Sequence, residues 1–177
     1  MRGFLLSSVV IGGFCMASGP ALAAHIDIDI PSQRMVVKTA SGEIMTWPIS
    51  TARKGFVTPP GSYTPYSLQK MHYSRQYQMA PMPHSIFFHE GYAIHGTSAV
   101  AQLGRPASHG CIRLAPANAA KLFRIVQLEG ALITIHDAAS RAKDEQKLAE
   151  SMASAPLRRD AALDEPPIDW ALRRPAD

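Results

Sequence analysis

Cys111 stands in the stretch Ser108-His109-Gly110-Cys111-Ile112-Arg113-Leu114, and His95-Gly96 lies sixteen residues before it. A thiol attacks a carbonyl best as thiolate, and an imidazole within hydrogen-bond reach can remove its proton. That base needs a third group to hold its ring, either a carboxylate or a backbone carbonyl. A tetrahedral intermediate also needs donors aimed at its oxyanion, which backbone N–H groups in a glycine-containing turn supply with little steric obstruction. His109-Gly110-Cys111, a few residues ahead of a predicted helix, suits such a nest.

What a lone cysteine means depends on its compartment. Arg2 gives a positive charge, Phe4 to Phe14 an apolar run, and Ala21-Leu22-Ala23 a small-x-small cleavage site, the pattern of a secretory signal peptide over residues 1–23. The apolar run is short and glycine-rich for a membrane anchor. Phe14 also stands where a lipid-anchored precursor would carry a small residue before Cys15. Cleavage after Ala23 would remove Cys15, leaving Cys111 unpaired outside the inner membrane, in the periplasm or at the wall, with no membrane span after processing. Cysteines in an oxidising exterior ordinarily pair. An unpaired one is inert by burial, pairs between molecules, or is kept for its thiolate chemistry.

The elements that must position these residues are mostly strands. "HIDIDI" alternates isoleucine with aspartate, the period-two pattern of a half-buried strand, and "RMVVKTASGEIMTWPIS" reads as strand, turn at Ala40-Ser41-Gly42, and strand. A Pro-Pro-Gly break precedes another expected strand over Tyr63 to Leu68. Residues 71–85 show no clean periodicity and hold two prolines, which predicts a long loop. "IFFHEGYAIHG" predicts two short strands turning at Glu90-Gly91. "PANAAKLFRIVQLEG" opens on a helix-start proline, puts Leu122, Phe123 and Val126 on one face and ends at Gly130. "ALITIHD" then makes a closing strand. The domain reading is a catalytic body over 24–137, followed by a polar, alanine-rich helix and a flexible, proline-broken tail over 138–177, with Trp170 a candidate partner anchor.

Composition narrows the function. A net charge of +4 suits weak attraction to an anionic wall polymer, but lysines and arginines are scattered and no aromatic-basic stripe points to nucleic acid. No phosphate loop or nicotinamide fingerprint is present. His84, His89, His95, His109 and Cys111 crowd one window, yet they lack a paired metal-ligand frame, and a metal would sequester the nucleophile. No metal and no cofactor are expected. Papain-like and NlpC/P60-like peptidases place the nucleophilic cysteine before its histidine; here His95 comes first.

His95-Gly96-Thr97, Gly104 and Ser108 to Leu114 together resemble the signature of the L,D-transpeptidase (YkuD-type) catalytic domain. "SQRM", "WPIST", "KGFVTPPGSYTP", "MP" at 82–83 and "FFHEGYAIHG" extend the resemblance over residues 26–137 in the expected order. It implies a mainly β fold with one or two helices, sandwich-like, acting on peptidoglycan stem peptides. The cysteine would attack the third-residue carbonyl of a tetrapeptide stem, expel D-alanine, and pass the acyl group to an amine of a second stem. Carried onto this chain, Cys111 is the nucleophile and His95 the general base and acid. The Gly96 carbonyl would orient His109 or fix the local turn. The amides of His109, Gly110 and Cys111 would bind the oxyanion. Arg113, Ser108, Tyr92, Met82 and His72 are the substrate-side candidates, His72 and Tyr73 as part of a lid; Arg113 stands where some relatives carry asparagine. The acceptor stays open: a stem peptide, an outer-membrane protein, or water. A noncatalytic wall-binding module would need neither His95 nor Cys111.

Overall fold

The computed structural model describes residues 23–154. The expected leader with Cys15 and the expected tail with Trp170 lie outside the described residues. Strand β1 (Ala24–Asp29) follows its alternation, burying Ala24, Ile26 and Ile28 and turning His25 and Asp27 outward. It pairs antiparallel with β2 (Arg34–Lys38), which pairs in turn with β3 (Ile44–Pro48), giving the expected hairpin. On its other side β1 runs parallel to β9 (Ala131–His136), the expected closing strand. With β4 (Gly61–Tyr63) these make a five-stranded sheet in the order β3-β2-β1-β9-β4.

A second sheet carries the candidate chemistry: β5 (Ser67–Ser74), β6 (Ala80–His89), β7 (Tyr92–Gly96) and β8 (Ile112–Leu114), neighbours in that order. Two sheets with two helices match the expected fold class. The expected strand over Tyr63 to Leu68 is instead two pieces in different sheets, β4 ending at Tyr63 and β5 starting at Ser67. Pro65 lies in the break, where it withholds no ladder donor.

The long loop expected over 71–85 is a hairpin. β5 pairs with β6 from Ser67–Phe87 to Ser74–Ala80, His72 opposite Met82 and Tyr73 opposite Pro81, around a single 3₁₀ turn at Arg75–Tyr77. Pro81 and Pro83 both stand within β6, two residues apart, so their ring nitrogens face the same side. That side is the stretch of β6 not yet reached by β7, whose pairing covers Ile86 to His89, so neither proline breaks a ladder bond. Gln78 and Met79 close the tip with φ of 51° and 56°, conformations uncommon outside glycine.

Helix α1 (Pro116–Glu129) buries Ala119, Leu122, Phe123 and Val126, one residue more than the expected face, and the Gly130 N–H donates back to the Val126 carbonyl. It packs on β6, β7 and β1. Its buried face joins Ile26 and Ile28, Met35 and Val37, Ile86, Ile94, Ile112 and Leu114, and Ile133 and Ile135 in one core. Each fully buried side chain of this size contributes roughly 1.5–3 kcal/mol. The residues through Ser140 form one unit and those from Arg141 another. Helix α2 (Ala138–Ser154) is polar, with no buried residue, and opens on a reciprocal pair in which the Ser140 N–H donates to the Asp137 carboxylate and the Asp137 N–H to Ser140 Oγ.

Candidate active site

Period two sorts β7 and β8 into two faces. Ile94, Ile112 and Leu114 enter the core, so Ala93, His95, Cys111 and Arg113 take the opposite face. The strands run parallel with Ile94 opposite Ile112 and His95 opposite Arg113. Cys111, one residue before that register, is therefore a diagonal neighbour of His95. His95, Cys111 and Arg113 all line one cavity of about 650 Å³, with Met82, His72 and Ser108 also in its wall. Met82, Phe87 and Ala93 form a small buried apolar cluster against which Cys111 packs. The rings of His72 and Phe87 meet edge to face, their centroids 5.1 Å apart.

The cysteine turn is stapled down by the segment after β3. Ser50 and Arg113 exchange backbone hydrogen bonds at 3.0 and 2.9 Å, the Thr51 carbonyl accepts from the amides of Ala107 and Ser108, and the Arg53 N–H donates to the Ser108 carbonyl. Ser108, almost wholly buried, uses its Oγ to accept the Gly110 N–H at 3.0 Å. That bond corrects one expectation: the Gly110 amide is engaged inside the turn, so the amides of His109 and Cys111 are what remain for an oxyanion. Thr58, also buried, donates its hydroxyl to the Gly110 carbonyl at 2.7 Å while accepting the Ala52 N–H at 3.0 Å. A trans peptide directs its carbonyl and the following N–H to opposite sides. Thr58 thereby fixes the direction of the Cys111 amide. Thr58→Val is expected to keep the fold but cut turnover about tenfold, a loss in kcat more than in KM, with Thr58→Ser restoring it. Steady-state kinetics on the three proteins check this.

His95 Nδ1 donates to the Gly96 carbonyl at 2.8 Å, which leaves Nε2 as the proton acceptor. Gly96 thus orients His95, not His109 as expected. A side chain at 96 would press on Pro83 and on Ala119 of α1, 3.2 and 3.3 Å from the new carbon, so β7 packs closely here and those neighbours would have to give by a few tenths of an ångström. Burial pushes the His95 pKa down to about 4. The Gly96 carbonyl pulls it partly back, and Arg113 and His72 push further down. Burial also raises the Cys111 thiol, opposed by the Ala93 amide and by Arg113. The resting pair is a neutral imidazole beside a neutral thiol.

His109 also lines the cavity, its ring engaged by the hairpin tip and the segment after β3. Its Nε2 accepts from Arg53 Nη2 at 2.7 Å, its ring stacks on Tyr77 at 4.4 Å and meets Phe56 edge-on at 4.6 Å. The little desolvation it suffers, then Arg53 and Arg113, lower its pKa. This arrangement draws the tip of the β5–β6 hairpin onto the cysteine turn. Tyr92 is the other correction: it shares the face of Ile94, packs against the core and covers Gly110, and the cavity wall does not include it. Arg53, Phe56, Thr58, Tyr77 and Gln102 were not singled out by sequence. Phe56 and Thr58 lie in "KGFVTPPG", Tyr77 in the segment that reads as a loop, and Arg53 meets a partner 56 positions away. Among the described residues no group of three or more His, Cys, Asp or Glu could hold a metal ion. No helix among them is long and apolar enough to cross a membrane.

The same fold occurs in solved proteins. An L,D-transpeptidase from Mycobacterium smegmatis is 25% identical over 64% of this chain and 58% of its own, with a TM-score of 0.57. An L,D-transpeptidase from Stackebrandtia nassauensis is 21% identical over 72% of this chain and 62% of its own, at 0.58. L,D-transpeptidase 3 from Mycobacterium tuberculosis, solved in complex with a faropenem-derived adduct, is 19% identical over 65% and 60%, at 0.57. The chain thus spans about three fifths of the length of these structures. No curated protein matches it. The family model of the YkuD-type L,D-transpeptidase catalytic domain matches residues 23–150. With most of its length inside that match, and with the fold of those relatives, the chain belongs to the L,D-transpeptidase (YkuD) catalytic-domain family.

Proposed function

We propose that this chain is a peptidoglycan L,D-transpeptidase working through a Cys111 thioester. The supporting observation is that Cys111 and His95 share one face and one cavity, with His95 Nδ1 already committed to Gly96. As Cys111 Sγ attacks the third-residue carbonyl of a tetrapeptide stem, His95 Nε2 takes the thiol proton. The amide of Cys111 steadies the oxyanion. His95 then gives that proton to the departing nitrogen, and D-alanine leaves with the electrons of the broken C–N bond. An acceptor amine attacks the thioester, passes its proton to His95, and the sulfur recovers it on leaving. One amide is exchanged for another, so no nucleotide and no cofactor is consumed. The reading puts the chain in the periplasm, where the stems are. A stem amine is the acceptor proposed; an outer-membrane protein amine or water would resolve the same thioester.

The test is D-alanine release and dimer formation from a purified tetrapeptide muropeptide, followed by mass spectrometry. No release by the folded protein would overturn the reading, and the mass of the second product identifies the acceptor. The pH profile is equally specific. Since the neutral imidazole is the active form and holds until about pH 4, kcat/KM should stay flat as pH falls through 6.5 and drop only toward 4. Stability has the same sign: the unfolded chain takes the histidine proton first, so this contribution is complete above pH 6.5 and is lost as pH falls through 4. Alkylation of the free thiol should climb only above pH 9, the ordinary value from which Cys111 is raised. An acid limb near 6.5 would show a conventional, exposed histidine instead.

A further inference from the structure

One charged group in the cavity has no task in that proton cycle. Arg113 is half-buried, its backbone is fixed on both sides by Ser50, and its guanidinium donates to Gln102 Oε1 at 3.3 Å. Gln102 is neutral, and the cavity wall contains neither aspartate nor glutamate. A guanidinium offers five donors in a fork that matches a carboxylate. Holding it partly out of water without an anion carries a desolvation cost that an anionic ligand would offset. Its neighbours along the wall, Thr97, Ser98 and Gln102, are polar and uncharged.

We infer that Arg113, flanked by Gln102, is a carboxylate subsite that reads a free carboxylate of the donor peptide beside the scissile bond. This rests on the reading under Proposed function. The ladder says which carboxylate. His95 must meet the departing nitrogen, and Arg113 is its direct partner across β7–β8, about 4.8 Å away between strands. The α-carboxylate of the residue bearing that nitrogen is two bonds further on. A donor that ends one residue past the scissile carbonyl therefore delivers its terminus to Arg113, and a donor extended by another residue delivers an uncharged amide. The side-chain carboxylate of a third-residue diamino acid has the same chemistry and a longer reach.

The experiment compares wild type, Arg113→Gln and Arg113→Lys on three donors: the tetrapeptide stem, its C-terminal amide, and the stem amidated on the third-residue side chain. The expected result is at least a tenfold loss in wild-type kcat/KM on the C-terminal amide. Arg113→Gln should lose as much on the free acid and nothing further on that amide, with Arg113→Lys between. If the loss follows the side-chain amide, the subsite stands and the third residue supplies its anion. Equal loss by Arg113→Gln on all three donors would overturn the inference and make Arg113 a support for its neighbours. Calorimetric affinities for the same peptides, measured on Cys111→Ala with and without Arg113→Gln, need no turnover. A tenfold weaker Kd for one amide, abolished by Arg113→Gln, supports the subsite even if wild type releases no D-alanine, in which case it is the transpeptidase reading that fails. Equal affinities for all three peptides would overturn the subsite.

Discussion

Cys111→Ala and His95→Gln proteins are expected to melt within a few degrees of wild type and to release almost no D-alanine. Removing the nucleophile should cost at least about 10⁴-fold in kcat, and removing the base about 10³-fold. The double variant should be no worse than Cys111→Ala alone, because groups that act as one unit do not add. Faropenem supplies an independent readout, since its strained β-lactam carbonyl acylates a nucleophilic thiol without any acceptor. Wild type should gain the mass of one adduct, His95→Gln should gain it slowly, and Cys111→Ala should gain none. Glutamine has no group that takes up a thiol proton, so the His95 variant removes the base. Wild-type turnover by either single variant would remove that residue from the mechanism.

Gly110→Ala is expected to be the most damaging change outside the reacting pair. Gly110 has φ of 132°, a region closed to residues with a side chain, and its added carbon would lie 2.6 Å from the Tyr92 ring and 2.9 Å from the Val57 carbonyl. The ring could swing, but a backbone oxygen cannot be trimmed. Strain of this kind, added to overpacking, costs roughly 2–4 kcal/mol, or a melting point lower by about 10 °C. Turnover should fall at least about a hundredfold, since the Cys111 amide and sulfur both move with this peptide. The double variant Gly110→Ala with Tyr92→Ala should recover only part of the stability, because φ and the Val57 contact remain. Calorimetry with the D-alanine assay checks both numbers; a Gly110→Ala protein with wild-type melting and turnover would refute the constraint.

The sequence showed what short-range physics determines. Alternation in "HIDIDI" and "ALITIHD", the apolar face of α1 and the hairpin at Ala40-Ser41-Gly42 are local patterns, and each became the element expected. Cys111 and His95 stood out as candidates because the chain has only two cysteines and the spacing of this one from His95 matches a family. The β5–β6 hairpin was not legible, because Pro81 and Pro83 look like loop markers until the β6–β7 pairing is known to begin only at Ile86. The orientation of His109 was equally out of reach. It depends on Arg53, Phe56 and Tyr77, which are distant in the chain and meet only once the hairpin folds over. Tyr92 failed because strand parity assigns it to the core, where its ring covers Gly110, and the Gly110 amide failed because Ser108 Oγ, two residues back, accepts it.

The parallel pairing of β1 with β9 has a kinetic consequence. Among the described residues the first strand lies at the middle of its sheet, and one of its two neighbours is the last strand, joined in register from Ala24–Ala131 to Asp29–His136. Ile26 and Ile28 cannot finish burying themselves until residues more than a hundred positions later arrive. Closure over such a separation is slow compared with pairing between adjacent strands. A chain fed N-terminus first through a narrow channel would stay threadable until nearly its whole catalytic body had passed, and would then close in one concluding step on the far side.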